Sequence, residues 1–131
     1  PRVFFEAMNR RSYGGLGMYA WVQRPQGVPR SSLHSKEIPT AENGWSGQNY
    51  AGYANPQMDK ALDDAERELD FDRRRAYFAE IQRLAADDLP ALPLFFRVDP
   101  FVIPKPLKGV KPTGTLHSST LWIERWRWEM P

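Results

Sequence analysis

The sequence predicts an α/β fold, because helical and strand-like patterns occur in one chain of 131 residues. Residues 55–88 carry helical periodicity, whereas the apolar segments 16–22 and 91–96 have the length and composition of strands. Hydrophobic residues make up 41% of the chain, which is enough to build a core. The length suits one domain or a piece of a larger one.

A short helix and a buried strand are predicted at the start of the sequence. Residues 2–9 have apolar side chains at helical spacing, and the polar residues after them close the helix. Residues 16–22 lack a clear alternation of apolar and polar side chains, which predicts a strand buried on both faces.

The segment 23–55 is rich in proline and glycine and predicts a long loop. It contains Trp45, Tyr50 and Tyr53, and aromatic residues at this density are unusual in disordered chains. We therefore predict an ordered loop that packs on the surface or lines a cleft. Residues 31–33 have the composition of a single helical turn.

A helical hairpin is predicted after this loop. Asn55 is the expected N-cap of its first helix, with Pro56 at the first helical position. Asp70 is the expected cap of the second helix, which ends near Asp88 because Pro90 disfavours helical backbone in the residue before it. The predicted apolar stripes are Met58, Leu62, Ala65 and Leu69 on the first helix and Tyr77, Ile81 and Leu84 on the second.

The last third of the chain changes character. Residues 91–96 predict a strand, and Pro93 places it at a sheet edge or a strand end. Four prolines between residues 98 and 114 predict an extended, meandering course. Residues 121–128 fit either a strand or a turn of helix, and their three tryptophans need a surface to pack against.

Composition excludes several classes of chemistry. The chain has no cysteine, which excludes a disulfide framework, a thiolate zinc site and a cysteine nucleophile. His34 and His117 stand in no metal-binding or nucleophile motif, and we interpret both as surface side chains. Adjacent carboxylates such as Asp63 and Asp64 point apart on a helix. The sequence therefore predicts no enzyme, no cofactor and no metal site.

Charge and hydropathy exclude two further partners. The formal net charge is +2, and the densest basic run, residues 73–75, has acidic neighbours. A solvated helix face explains this run better than a phosphate-binding patch, so no nucleic acid partner is predicted. No apolar run reaches the ~20 residues that span a bilayer.

Aromatic side chains and single charges in loops are what a small-molecule cleft uses. On this basis the candidate ligand-binding residues are Trp21, Gln23, Arg24, Trp45, Tyr50 and Tyr53. The alternative for the two tryptophans is that they are core side chains.

Several motifs occur in a recognisable order. Residues 49–59, a turn and the start of a helix, fit the motif N-x-x-G-Y-x-N-P-x-x-D. A second helix start, D-x-x-x-R, follows at Asp70, and LPxLPL spans residues 89–94. Together with LKGV at 107–110 and a tryptophan near the end, they resemble the C-terminal segment of extracytoplasmic solute-binding proteins of ABC transporters. The resemblance is to family 5, which binds peptides, nickel and some other solutes, and it covers nearly the whole chain.

The resemblance implies a partial C-terminal lobe of a two-lobed periplasmic-binding-protein type II fold. Residues 1–97 would belong to the second lobe, and residues 98–131 would cross the hinge and return to the first lobe. Both ends of the sequence look like cuts in a longer polypeptide. We therefore expect a periplasmic or extracytoplasmic protein whose signal peptide lay in the missing N-terminal part.

The resemblance also implies capture of a solute, an oligopeptide or a related small molecule, and its delivery to an ABC permease in the membrane. Many peptide-binding members have an acidic residue shortly after the strand-end tryptophan, whereas Trp21 is followed by Arg24 and no acid. Arg24 suits an anionic group instead. The alternative is a ligand-independent interaction or sensor-docking module. The exposed 98–131 segment further predicts self-association by exchange between copies.

Overall fold

A computed structural model describes residues 2–20, 27–95, 100–113 and 119–129. These residues divide into two compact units. The first unit comprises the described residues up to 20 and from 28 to 93, and the second comprises Gly27 and the described residues from 94 onward. The predicted lobe boundary at 97/98 lies outside the described residues, and the assignment of the two parts to two lobes stays a prediction.

The first unit begins with helix α1, Arg2–Arg10, which confirms the helix predicted over residues 2–9. Met8 is its buried side chain, with 2% of its surface exposed. The helix closes with hydrogen bonds from the amides of Arg11 and Ser12 to carbonyls of α1, 3.1 and 3.0 Å long. Arg11 takes a left-handed backbone conformation, with φ 49°, and its guanidinium donates to the carbonyl of Pro39 at 2.9 Å. These contacts hold α1 against the following loop.

The described part of the long loop is ordered, as predicted. It contains helix α2, Arg30–Leu33, followed by a 3₁₀ turn, Ser35–Glu37. The helical turn predicted at residues 31–33 is thus confirmed. The loop returns to this turn where the amide of Asn49 donates to the carbonyl of Glu37 at 3.0 Å. It is built from local turns that bond to one another.

Helix α3, Pro56–Arg67, starts as the sequence predicts. The side chain of Asn55 accepts hydrogen bonds from the amides of the second and third helical residues, 2.8 and 3.3 Å long. The predicted end of its apolar stripe is wrong, because Leu69 is 97% exposed. The cause is Glu68, whose extended backbone ends the helix before Leu69. Leu69 therefore leaves the helical stripe.

Helix α4, Phe71–Asp88, packs antiparallel to α3 in a hairpin joined by a short connection. Asp70 caps it by accepting from the amide of Arg73 at 2.9 Å. Six buried residues from the two helices form the core: Met58, Ala61, Leu62, Ala65, Ile81 and Leu84. Each fully buried large side chain contributes about 1.5–3 kcal/mol, so this hairpin supplies most of the apolar burial in the first unit.

The end of α4 stores backbone strain. Leu89 follows the last helical residue with φ 46° and ψ 54°, and its amide still donates to the carbonyl of Ala85. This left-handed conformation costs a non-glycine residue about 1–2 kcal/mol. The leucine side chain is 59% exposed and returns little of that cost through burial.

Leu89→Gly is expected to raise the free energy of unfolding by about 0.5–1 kcal/mol, because glycine adopts this backbone conformation without steric cost. Urea denaturation measures the change. Leu92→Gly is the matched control, since Leu92 is similarly exposed but has no positive φ. A gain in both variants, or a loss at Leu89, would contradict the assignment of strain.

Two predicted strands are absent from the described residues. Residues 16–20 and 91–95 are irregular, and no described segment pairs with either one. Leu16 and Met18 are exposed, at 101% and 73%, so the expectation of burial on both faces is wrong for this part. A strand requires a neighbour for its backbone hydrogen bonds, and apolar composition alone does not supply one.

The second unit contains a two-stranded antiparallel sheet, in which β1, Leu107–Lys108, pairs with β2, Arg127–Trp128. Before β2 lies a 3₁₀ helix, Ser119–Arg125, with a kink at Trp122. Residues 121–128 therefore contain both alternatives left open by the sequence, a helical turn and then a short strand. Within the part of the chain that the structure describes, no helix is long and apolar enough to cross a membrane.

The regular secondary structure of the described residues is thus mainly helical, with one small sheet. This composition is compatible with part of an α/β fold.

Candidate functional site

The candidate site lies in the first unit, on the loop that packs beside α1 and α3. Three of the six predicted ligand-binding residues fall within the described residues, and each has different neighbours: Trp45, Tyr50 and Tyr53. The other three fall outside the described residues, and their role stays a prediction: Trp21, Gln23 and Arg24.

Tyr50 belongs to an aromatic cluster that we define as Phe4, Phe5, Tyr19 and Tyr50. Its ring centroid lies 5.6 Å from that of Tyr19 and 6.5 Å from that of Phe5. Phe5 meets Phe4 edge-on at 5.3 Å. Tyr50 is buried, and burial raises the pKa of its hydroxyl. The two phenylalanines remain about 40% exposed, so the cluster offers a partly open aromatic surface to an apolar group.

Trp45 lies under a cation. The guanidinium carbon of Arg10 is 5.0 Å from the centroid of its ring, and the Nε of Arg10 is 3.5 Å from a carboxylate oxygen of Glu6. The backbone of Trp45 is left-handed, with φ 62°, and its amide donates to the carbonyl of Thr40 at 2.7 Å. The half-buried ring is thus neither a core side chain nor a fully solvated one.

Tyr53 closes the helical hairpin. Its hydroxyl donates to Oδ2 of Asp88 at 2.5 Å, and the side-chain amide of Asn55 donates to the same oxygen at 2.7 Å. Burial, with a smaller contribution from the bond to Asp88, raises the pKa of Tyr53 to about 12. The clamp joins the start of α3 to the end of α4. Its geometry gives Tyr53 a stabilising role, and its part in ligand binding stays a prediction.

This clamp predicts an acid-sensitive contribution to stability. The hydrogen bonds from Tyr53 and then Asn55 lower the pKa of Asp88 below its ordinary 3.8. A carboxyl whose pKa is lower in the folded state stabilises the fold above its unfolded value, and this contribution is lost as pH falls through the folded pKa. In Tyr53→Phe, the free energy of unfolding should therefore decrease less steeply as pH falls below about 4.

Urea denaturation at several pH values between 7 and 2 measures this slope. Tyr77→Phe is the control, because it removes a tyrosine hydroxyl from α4 and keeps the bond between Tyr53 and Asp88. Equal acid slopes in Tyr53→Phe and the unmodified chain would show that the clamp contributes nothing to the acid response.

Asn49 is the polar centre of the loop. It is completely buried, and its side-chain amide donates to the carbonyls of His34 and Tyr53 at 3.0 and 2.8 Å. Its side-chain oxygen accepts from the amide of Tyr53 at 3.0 Å. One side chain thus joins two turns that are distant in the sequence. Asn49, which directly precedes Tyr50, is fixed by the same bonds. The sequence indicated this residue only as a member of a family motif.

His34 is buried, with 2% of its surface exposed, so its prediction as a surface histidine is wrong. Its Nδ1 accepts from the amide of Lys36 at 3.0 Å, which assigns the proton of the neutral ring to Nε2. Nε2 lies 3.5 Å from a carboxylate oxygen of Asp63. The bond from the amide of Lys36 caps the 3₁₀ turn and holds the buried ring against it. His117 lies outside the described residues.

The charged side chains near His34 join the loop to α3. Arg30 donates to Asp63 and, at 3.2 Å, to Glu66. The bond from Arg30 lowers the pKa of Asp63. Asp59 accepts from both the amide and the hydroxyl of Ser35. These hydrogen bonds take the place of hydrogen bonds to water, and they attach the loop to α3.

These groups are not arranged for catalysis. The hydroxyl of Ser35 donates to a carboxylate, and Nδ1 of His34 accepts from a backbone amide, so the two do not form a nucleophile and base pair. Within residues 2–20, 27–95, 100–113 and 119–129, no cluster of three metal-ligating side chains occurs. The arrangement supports stability of the loop.

Comparisons with known proteins give one distant relative. The chain is 26% identical over 113 residues to the oligopeptide-binding protein OppA of Bacillus subtilis strain 168. The match covers 86% of this chain and 19% of OppA, so the chain spans about a fifth of that relative's length. No family model and no solved structure matches the chain. The similarity supports a distant relationship to a peptide-binding protein.

The motif at the start of α3 has a structural explanation. Asn49 supplies the buried side-chain amide that joins two turns, and Asn55 caps the helix. Asp59 accepts hydrogen bonds from Ser35, and Tyr53 joins the two helices of the hairpin through Asp88. The motif residues that support the resemblance therefore fix the loop on the helices. They specify the fold around a site more than the site itself.

Sequence reasoning missed five residues of the candidate site: Phe4, Phe5, Tyr19, Glu6 and Arg10. Phe5 and Tyr19 were assigned to a helix and a strand, and a sequence pattern does not show that both meet Tyr50. The one available signal was the spacing of Glu6 and Arg10 by four residues, which places them together on a helix.

Proposed function

We propose that this chain is a C-terminal part of an extracytoplasmic solute-binding protein that captures an oligopeptide or related small molecule. The observation that carries the proposal is the similarity to OppA along most of the chain. The bound solute would then be delivered to an ABC permease in the membrane. The protein binds its solute and does not transform it.

The aromatic cluster and Trp45 are the surfaces in the first unit that support solute binding. A partly exposed group of rings suits an apolar side chain, and polar groups beside it fix orientation. The buried amide of Asn49, the residue before Tyr50, donates to the carbonyls of His34 and Tyr53 and fixes the loop there. In this proposal the loop is a preformed wall of the cleft, which keeps the entropic cost of binding low.

The proposal divides the chain as the family resemblance implies. Residues 1–97 form part of the second lobe, and residues 98–131 cross the hinge to the first lobe. Exposed apolar side chains in the second unit support this assignment, including Val102 and Trp128 at 93% and 57%. They would pack against the rest of a longer binding protein or, in its absence, against a second copy.

Mass spectrometry of the natively purified polypeptide that contains this sequence tests the proposal. Denaturation should release a bound oligopeptide, which then stabilises the emptied protein in a thermal shift assay. A bound anionic solute that is not a peptide would overturn the peptide assignment and support the role predicted for Arg24. No released molecule, and no shift with a broad panel, would favour the ligand-independent interaction or sensor-docking module.

A further inference from the structure

We propose that Trp45 and Glu6 form a site for the ammonium group of the ligand, and that Arg10 occupies this site when no ligand is bound. The inference rests on the proposed function and names the chemistry of one ligand group. It assigns no role to Arg24.

The evidence is the way in which Arg10 bridges an aromatic face and a carboxylate. Its guanidinium carbon is 5.0 Å from the ring centroid of Trp45, within the ~6 Å range of a cation–π interaction. Its Nε lies 3.5 Å from Oε1 of Glu6. A π face and an anion together are what an ammonium group requires, and here a side chain of the chain itself fills that position.

The loop imposes the position of Trp45. Gly44 and Trp45 both have positive φ, 67° and 62°, and a tryptophan takes this conformation only where its surroundings hold it. The carbonyl of Thr40 accepts from the amide of Trp45, and the side chain of Asn43 accepts from the amides of Thr40 and Ser46. The ring is therefore presented by a fixed turn, as a binding platform requires.

The pair of Glu6 and Arg10 is open to exchange. Their side chains are 59% and 50% exposed, so a solvated cation reaches both the carboxylate and the ring. An ion pair at this exposure contributes little to stability. Release of Arg10 into solvent is therefore a small cost for an incoming ligand.

The chemistry selects the ligand group. A cation gains from both the ring and the carboxylate, whereas a neutral group gains little and an anion meets Glu6. A peptide carries such a cation at its amino terminus. Glu6 thereby supplies the carboxylate that the sequence lacks after Trp21.

Competition from Arg10 has a measurable size. A cation–π contact at an exposed site contributes about 0.5–1 kcal/mol, so removal of Arg10 should tighten binding of a cation at this position about two- to fivefold. Arg10→Met keeps the length of the side chain and a good helix former while it removes the charge. Arg2→Met is the matched control, because it removes the same charge from the other end of α1.

The test uses tetramethylammonium chloride as the probe, with sodium chloride at equal ionic strength as the reference. The indole N–H resonance of Trp45, assigned by its loss in Trp45→Phe, reports binding to the ¹⁵N-labelled chain. We expect a saturable shift whose dissociation constant is about two- to fivefold lower in Arg10→Met and unchanged in Arg2→Met. Adding Glu6→Gln to Arg10→Met should weaken it again.

Failure of this inference is distinct from failure of the proposed function. No saturable shift in Arg10→Met, or an equal gain in Arg2→Met, overturns the ammonium site. If peptides still bind in the thermal shift assay, the proposed function stands with a different ammonium contact. If acetylated and free peptides bind equally well, the ammonium site is likewise wrong and peptide binding stands.

Discussion

Gly47→Ala should lower the free energy of unfolding by about 3 kcal/mol, since strained backbone and a steric overlap act together. Gly47 has φ 105°, and an added Cβ would lie 2.1 Å from the carbonyl oxygen of Glu37. That oxygen is backbone in the 3₁₀ turn and also accepts from the amide of Asn49, so it does not move aside cheaply. Urea denaturation measures the loss.

Gly44→Ala is the matched control for this prediction. Gly44 also has a positive φ, 67°, but an added Cβ would meet nothing within 4 Å. The expected loss is about 1 kcal/mol, from backbone strain alone. If the two variants lose the same stability, the close approach between Gly47 and the 3₁₀ turn does not exist in solution.

Asn49→Ala should lower the free energy of unfolding by about 3 kcal/mol or more, because it leaves several buried backbone groups without partners. The carbonyls of His34 and Tyr53 lose their donor, and the amide of Tyr53 loses its acceptor. A buried group without a hydrogen bond costs about 1–3 kcal/mol. Thermal unfolding with circular dichroism measures the effect.

Asn43→Ala is the control of the same residue type. The side chain of Asn43 also bonds to backbone groups, those of Thr40, Ile38 and Ser46, but it is exposed. Water replaces its partners, so the expected loss is about 1 kcal/mol. A loss at Asn49 no larger than that at Asn43 would mean that the loop is not closed around a buried amide.

The helices could be predicted from the sequence because their signals are local. Asn55 with Pro56, and Asp70, cap the starts of α3 and α4, and both caps form the expected hydrogen bonds. Apolar spacing found most of the core. The prediction failed at Leu69 because the last residue of an apolar stripe depends on where the helix ends. Here the extended backbone of Glu68 ends the helix.

The strands could not be predicted in the same way. A strand is defined by its partner, and the segments 16–20 and 91–95 have none among the described residues. Apolar composition indicated burial, yet Leu16 is fully exposed. Burial of His34 was missed for a related reason, since its position depends on the bond that its Nδ1 accepts from the amide of Lys36.

The candidate site was predicted in part. Loop aromatics pointed to Trp45 and Tyr50, and the structure adds the partners that give these residues chemical character, Arg10 for one and Tyr19 for the other. Such contacts join positions up to 35 residues apart in the sequence. A single sequence shows which residue types are present and leaves their pairing open.

Isothermal titration calorimetry tests the central claim, oligopeptide binding, most directly. The polypeptide that contains this sequence is unfolded, dialysed to remove bound molecules, refolded and titrated with short peptides of mixed sequence. The account predicts saturable heat with one peptide bound per protein. Absence of heat with every peptide, from a protein whose refolded state is verified by circular dichroism, would contradict it.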